Sequence, residues 1–273
     1  MLSKLYDVVT RPSTVKEAYD YMPYHGAILP MIIVNIFFAV FAFRLGPWLM
    51  RNRQPFNLKR ILMVYNIFQI IYNTYMTGLS IYLLYWYVDA SGGFSCIRHL
   101  DNDHPVKNFE IFCAYLCLVN KFIDYMETLF FILRKSFKQV TVLHVYHHIM
   151  MTSFVYVYIT NQGVGGHGAT VLMLNALVHA VMYVYYLMSS INPELKKSLW
   201  WKKYITQMQI VQFVIDFVHQ MWPVVVVRDC PIAKRWNFVF ALQAVVMLYM
   251  FGNFYIKTYI RKPKALKTDD KQL

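Results

Sequence analysis

Long apolar stretches separated by short polar loops are the feature that most restricts how this 273-residue chain can fold. A helix needs about 20 mainly apolar residues to cross the hydrocarbon core of a bilayer. Charged residues make up 15% of the chain, whereas about a quarter is usual in soluble domains. We therefore predict one all-α integral membrane domain over residues 1–273, with seven transmembrane helices. The predicted spans cover residues 28–49, 61–87, 110–133, 139–160, 168–190, 201–227 and 233–257.

The distribution of lysine and arginine among the loops predicts how these helices are oriented. With seven spans, alternate loops lie on opposite sides of the membrane. Cytosolic loops carry an excess of Lys and Arg. Most basic residues fall on one side, in "RNRQPFNLKR", "RKSFK", "KKSLWWKK" and the basic tail over residues 258–273. We therefore expect a cytosolic C-terminus and an N-terminus on the other side. Nucleic-acid binding is not expected, because these residues do not form one soluble basic face.

The cysteines fit this topology. Cys96 and Cys230 fall in the second and sixth loops, both on the predicted non-cytosolic side. That side is oxidising in the secretory pathway, so we predict a disulfide between Cys96 and Cys230. Cys113 and Cys117 lie in the third span and are expected to be small apolar residues.

Polar side chains inside the spans carry the information about function. An ionisable group near the bilayer centre costs about 2.5–3.5 kcal/mol and usually faces a partner or a cavity. Such residues occur in four consecutive spans at helical spacing, mostly in the predicted cytosolic halves. We therefore expect one polar chamber that opens toward the cytosol. The sets are Lys121, Asp124 and Thr128 with Glu127 nearby, then His144, His147, His148 and Met151, then Asn175, His179, Met182 and Tyr186, and last Gln209, Gln212, Asp216 and His219.

The segment "TVLHVYHHIMM" leaves metal binding, metal-free chemistry and simple packing as alternatives. Membrane desaturases and hydroxylases carry HxxHH boxes around two irons, but this chain has no second box such as HxxxH. The adjacent His147 and His148 point about 100° apart on a helix, which disfavours shared coordination. A neutral imidazole can act as base or nucleophile near neutral pH. We predict metal-free histidine chemistry, with no metal and no cofactor.

Four sequence blocks together resemble the ELO family, the condensing enzymes of very-long-chain fatty acid elongation. They are "KFIDYMETLFFILRK", "LHVYHH", "NALVHAVMYVYY" and "TQMQIVQF", in that order, and the resemblance covers about residues 25–260. One block departs from the family pattern Lys-x-x-Glu-x-x-Asp-Thr. Here Asp124 takes the place of the glutamate and Glu127 that of the aspartate, so the charges and their spacing persist.

The resemblance implies a protein of the endoplasmic reticulum membrane, with a lumenal N-terminus and spans 2–7 surrounding an acyl-chain tunnel. The implied reaction joins a long-chain acyl-CoA with malonyl-CoA to give a 3-oxoacyl-CoA, carbon dioxide and CoA. The implied partners are the reductases and dehydratase of the elongation cycle and, as an oligomer, further copies of the chain.

The resemblance also assigns roles to residues. His144, His147, His148 and His179 are the catalytic candidates, to which we add Asn175. We hypothesise that His147 forms an acyl-imidazole, and that His179 and Asn175 position or protonate the reacting oxygen. A single-step reaction with histidine only as general base is the alternative. The predicted substrate-binding residues are Lys121, Asp124, Glu127, Thr128, Arg134, Lys135, Tyr183, Tyr186, Lys202, Lys203, Gln209 and Gln212.

Two non-enzymatic alternatives stay open beside the metal-dependent one. A seven-span receptor would place its ligand cavity on the outer side, whereas the polar clusters here lie toward the cytosol. A transporter usually has helices broken by Gly or Pro at mid-membrane, and spans 3 to 5 contain almost none.

Overall fold

The computed structural model describes residues 2–192, 194–197, 199–227 and 229–261, and all regular secondary structure within them is helical. Residues 262–273, most of the predicted basic tail, lie outside the described residues. Short 3₁₀ or π segments at 23–26, 41–45, 137–139, 166–168 and 256–260 join or extend the helices. The helices are α1 (Leu2–Thr10), α2 (Lys16–Tyr21), α3 (Leu29–Val40), α4 (Gly46–Met50), α5 (Lys59–Ser91), α6 (Lys107–Ile123), α7 (Met126–Leu133), α8 (Val142–Gln162), α9 (Ala169–Ile191), α10 (Glu194–Lys197), α11 (Leu199–Val225) and α12 (Lys234–Tyr255).

Each of the seven predicted spans corresponds to a helix or to two helices in succession. By length and composition, three helical segments are able to cross a membrane: Leu29–Met50, Gly166–Ile191 and Lys234–Ile260. Helices α5 and α11 are longer than most of these but contain buried amide side chains, which lower their mean hydropathy. The all-helical membrane fold is thus confirmed with three candidate spans, and the count of seven crossings stays a prediction.

The described helices expose many large apolar side chains and bury many polar ones, which is unusual for a soluble protein. On α5, Val64 and Ile71 are exposed, whereas Gln69 and Asn73 are buried. Extended exposed apolar surfaces mark contact with a partner or a membrane, and here they follow the helices lengthwise, as contact with lipid requires. Helices α11 and α12 have the same outward pattern, at Val211, Val214, Val218, Phe238, Leu242 and Val245.

Helix packing brings six helical segments around a common interior. Helix α5 packs along α9, and α11 packs along α12 and also contacts α9. Helix α6 contacts α5 and α8, while α3 and α4 contact α8 and α7. Residues of α5, α6, α8, α9, α11 and α12 consequently line interior cavities between them.

The third predicted span, 110–133, is divided into α6 and α7 by a tight turn at Asp124 and Tyr125. The Glu127 backbone N–H donates to the Asp124 carbonyl at 3.2 Å, a bond at three-residue spacing. Such bonds tighten the turn relative to an α-helix and change the phase of the residues that follow. Asp124 therefore faces one group of polar side chains, and Glu127 faces another around His148.

A disulfide joins the two loops at the end of the molecule where α5 finishes. Cys96 and Cys230 are paired, with Cα atoms 5.7 Å apart and a sequence separation of 134. Cys113 and Cys117 are free thiols. The covalent link ties the loop between α5 and α6 to the loop between α11 and α12.

Breaking this bond is expected to destabilise the protein. Cys96→Ser should lower the free energy of unfolding by about 2–5 kcal/mol, because the unfolded chain regains the freedom of a long loop. Thermal unfolding of the purified protein in detergent measures the change. Cys230→Ser and the double variant should give the same loss, since all three remove one bond. A double variant whose loss equals the sum of the two single losses would contradict the pairing.

Candidate active site

A large interior cavity is the site where the polar side chains of several helices meet. Its volume is about 900 Å³, and we call it the histidine cavity. It lies between the start of α5, α7, the start of α8 and the ends of α9 and α12. His144, His147, His148 and His179 all line it. Basic side chains line it as well, namely Lys59, Arg134, Lys138 and Lys202.

Two box histidines are held in place by α7. Helix α8 begins after Thr141, whose hydroxyl accepts a hydrogen bond from the His144 backbone N–H at 3.2 Å. Such a cap satisfies one of the free N–H groups of the first turn. The His144 Nε2 atom then lies 2.8 Å from the Thr128 hydroxyl. The His148 Nε2 atom lies 3.4 Å from a Glu127 carboxylate oxygen. Both rings are therefore oriented by neighbouring side chains.

His147 differs from its two neighbours in the box. Its side chain is half-buried and lines the histidine cavity. Its ring centroid lies 5.4 Å from that of His148 and 6.1 Å from that of His179. Neither ring nitrogen of His147 makes a hydrogen bond to a residue in the described part of the chain. The ring nitrogens are thus free of protein hydrogen bonds there, as those of an attacking group would have to be.

His179 reaches the same cavity from α9 and is 4% exposed. Its Nδ1 atom lies 4.0 Å from an Asp124 carboxylate oxygen, too far for a hydrogen bond, and has no hydrogen-bond partner among the described residues. The ring packs edge-on against Tyr183 at 5.8 Å. The ring therefore lies at the cavity wall with its Nδ1 atom toward Asp124.

A buried polar network lies behind His179 and fixes its surroundings. The Lys121 ammonium donates to Asp124 at 3.2 Å and to the Asn175 side-chain oxygen at 2.7 Å. Gln69 of α5 donates to the second Asp124 oxygen at 3.0 Å. A buried charge is costly unless it is paired and hydrogen-bonded. The network therefore holds α5, α6 and α9 in register around the site.

The structure divides the predicted site residues into three groups. The four predicted histidines line the histidine cavity together with Glu127, Arg134, Tyr186, Lys202 and Gln209. Gln212 lines a second, apolar cavity. The others lie outside both linings in the described chain. Lys121, Asp124, Thr128, Asn175 and Tyr183 are buried, Lys135 donates to the Arg51 carbonyl at 3.3 Å, and Lys203 is exposed.

The contribution of α5 was missed in the sequence analysis. Tyr65 and Gln69 both contact the network, since Gln69 donates to the Tyr65 hydroxyl at 3.0 Å as well as to Asp124. Asn73 donates to the Gln69 side-chain oxygen at 2.9 Å. A signal for these residues was present, because Asn66, Gln69 and Asn73 recur at helical spacing within an apolar segment.

One group of side chains has the composition of a metal site. Donor atoms of Glu127, His144 and His148 all lie within 4.8 Å of one another, and a second Glu127 oxygen is buried without a hydrogen-bond partner. Two imidazoles and a carboxylate are a ligand set that zinc accepts. The spacing of the histidines in the sequence does not reveal this ligand set, because the carboxylate comes from α7.

The fold and the site define a helical membrane protein with histidine and carboxylate side chains around an interior cavity. Residues 23–267 match the family model described as ELO, the GNS1/SUR4 family. The chain belongs to this family.

Similar proteins cover most of the chain. Very long chain fatty acid elongase F of Drosophila melanogaster is 39% identical over 234 residues, which are 86% of this chain and 90% of the relative. Very long chain fatty acid elongase 5 of Tachysurus fulvidraco is 35% identical over 88% of this chain and 79% of its own. Very long chain fatty acid elongase 4 of Homo sapiens is 33% identical over 88% of this chain and 74% of its own.

Proposed function

We propose that the protein is a 3-oxoacyl-CoA synthase of fatty acid elongation, which condenses a long-chain acyl-CoA with malonyl-CoA. The observation that carries this proposal is the pair formed by His147 and His179. Their rings come from different helices, lie 6.1 Å apart and line one cavity. A thioester carbon between them would have a nucleophile on one side and a proton donor or acceptor on the other. The names of the similar proteins support the same substrate class.

The proposed reaction has two halves. In the first, His147 attacks the acyl thioester, a carbon–nitrogen bond forms and the carbon–sulfur bond breaks. CoA leaves as the thiol with the proton that the imidazole loses. In the second, malonyl-CoA releases carbon dioxide, and the resulting enolate carbon attacks the acyl group. The carbon–nitrogen bond breaks, and one proton taken from solvent restores neutral His147. His179 is proposed to donate a hydrogen bond to the oxygen that gains charge.

Three side chains would position these groups rather than react. Glu127 and Thr128 orient His148 and His144, and the His148 ring packs edge-on against both His144 and His147. Asn175 is proposed to act through Lys121, because its side-chain oxygen accepts the Lys121 hydrogen bond at 2.7 Å.

We also propose how the substrates reach the site. The basic side chains around the histidine cavity suit the phosphates of CoA, and they lie on the face that the charge distribution assigns to the cytosol. The two cavities together would form the acyl tunnel inside spans 2–7, with all seven segments crossing the membrane. The proposed location is the endoplasmic reticulum, with the N-terminus lumenal. The reductases and dehydratase of the cycle, and a second copy of the chain, are the proposed partners.

Purified protein in detergent provides the test. Offered a series of saturated acyl-CoAs with malonyl-CoA, it should release carbon dioxide and free CoA and form 3-oxoacyl-CoA two carbons longer than the substrate. Mass spectrometry of the products measures this directly. Failure to consume malonyl-CoA with any acyl-CoA, by protein that elutes as a single folded species, would contradict the proposal.

A metal-dependent activity is the second candidate, favoured by the Glu127, His144 and His148 donor group. The proposal of metal-free chemistry predicts that incubation with a strong chelator followed by desalting leaves the rate of condensation unchanged. Elemental analysis of the purified protein should give less than stoichiometric zinc and iron. Stoichiometric metal whose removal abolishes turnover, and whose return restores it, would establish the metal-dependent alternative instead.

A further inference from the structure

A second cavity lies further along α8 and α9 than the histidine cavity and is lined mostly by apolar side chains. Its volume is about 100 Å³, and we call it the apolar cavity. Met151 lines it one turn beyond His147 on α8, and Ala176 lines it three residues before His179 on α9. The proposed function requires room for an acyl chain in this direction, because the reacting carbonyl lies between the two histidines.

The wall of the apolar cavity contains an acid that an unsubstituted hydrocarbon chain cannot satisfy. Asp216 of α11 is 4% exposed and lines the cavity. One of its oxygens accepts a long hydrogen bond of 3.4 Å from Gln212. The other oxygen, Oδ1, is buried and has no hydrogen-bond partner among the described residues. A buried polar atom without a partner is unfavourable, and such atoms are rare in folded proteins.

Two other polar side chains in the lining, Glu110 and Gln243, have partners within the protein. Glu110, the second acid in the lining, lies 3.0 Å from the Lys107 ammonium and accepts a hydrogen bond from Tyr87 at 2.7 Å. The Gln243 side chain accepts from Tyr146 at 2.9 Å. No lysine or arginine occurs in the described lining of this cavity. Asp216 therefore has no cation to pair with there, and its free oxygen is available to a ligand.

We infer that the apolar cavity accepts an acyl chain that carries a hydroxyl group along its length, and that Asp216 hydrogen-bonds this hydroxyl. The inference rests on the proposed function, and it adds the class of acyl chain. A hydroxyl donates to a carboxylate and accepts from a carboxylic acid, so it suits Asp216 in either form. The remaining wall of the cavity is mainly apolar, so it suits the saturated hydrocarbon of the rest of the acyl chain.

The helix contacts locate the hydroxyl along the chain. Gln209 contacts Met182 at 3.9 Å, and Gln220 donates to the His167 carbonyl at 3.1 Å. Because α9 and α11 run antiparallel, Asp216 is level with Leu172, which lines the same cavity. Leu172 lies 179 − 172 = 7 residues before His179, or about 10 Å at the rise of an α-helix. The hydroxyl would thus lie several carbons from the thioester.

Substrate competition tests this inference. Saturated acyl-CoAs of one chain length, with the hydroxyl moved stepwise from the carbonyl to the terminal carbon, are compared with the unsubstituted acyl-CoA. We expect kcat/KM to pass through a maximum at a mid-chain position, about 10- to 100-fold above the positions on either side, the scale of a hydrogen bond to a charged group. Asp216→Leu should remove this maximum and raise the rate with the unsubstituted chain. Asp216→Asn, which keeps a hydrogen-bonding side chain of the same shape, should retain part of it.

The controls separate this inference from the proposed function. Asp89→Asn removes an exposed acid on α5 away from both cavities and should keep the positional maximum. Thermal unfolding of each variant verifies that it folds. A wild-type protein that elongates plain and hydroxylated chains with equal kcat/KM at every position overturns the inference and leaves the proposed function intact. Absence of elongation with every acyl-CoA contradicts the proposed function, and this inference with it.

Discussion

Replacing His147 with alanine is expected to lower the rate of condensation by at least about 10⁴-fold, the scale on which disabling a nucleophile and its base reduces hydrolase activity. The physical reason is that His147 lines the cavity without a hydrogen bond from its ring to a described residue, while His144 and His148 are held by Thr128 and Glu127. Turnover with acyl-CoA and malonyl-CoA measures the loss.

Intact-mass spectrometry adds a readout that distinguishes the two mechanisms. Wild-type protein incubated with acyl-CoA alone should gain the mass of one acyl group and release one CoA, whereas His147→Ala should gain none. His104→Ala is the matched control, since this histidine lies in the loop before α6, outside the histidine cavity, and it should behave as wild type. A competent enzyme that never forms the adduct would favour the single-step reaction. Full activity of His147→Ala would exclude both versions.

Replacing Lys121 with methionine is expected to have the largest effect on stability. Lys121 is 4% exposed and bridges Asp124 and Asn175. Removing one partner of a buried ion pair costs about 3–5 kcal/mol because the other charge remains buried and unpaired. For a domain of this size the melting temperature should fall by about 10 °C. Thermal unfolding in detergent measures it, and Lys16→Met, at an exposed lysine of α2, should leave it unchanged.

A double variant identifies the cause. Lys121→Met combined with Asp124→Asn removes both charges, so it should be more stable than Lys121→Met alone. The recovery should be partial, because the Asn175 oxygen still loses its donor. A double variant whose loss relative to wild type equals the sum of the two single losses would show that the two side chains do not interact, and would contradict the network.

The direction of the main polar groups could be predicted from the sequence. Helical spacing alone indicated that His144, His147 and His148 share a face of one helix, and that His179 reaches the same region from the next. These predictions depend on helix geometry within a single segment and on the order of the segments. Helix geometry and segment order follow from the local sequence, and all four rings do line one cavity.

The partners of the charged residues could not be predicted in the same way. Lys121, Asp124 and Thr128 were expected at the substrate, yet they are buried against side chains from other helices. Their partners come from α5, α8 and α9 and depend on how the helices are rotated about their axes. The tight turn at Asp124 also points Glu127 in a different direction from Asp124. A prediction that assumes one regular helix through both residues does not include this turn.

The disulfide has a consequence for how the molecule moves. Cys96 and Cys230 fasten the loops where α5 and α11 finish, whereas the histidine cavity lies at the opposite end of α5. Helix α5 has 33 residues and a length of about 50 Å, so the disulfide and the histidine cavity are far apart. If the helices separate to admit a bulky thioester, the displacement would therefore be smallest at the disulfide and largest at the end that holds the histidine cavity.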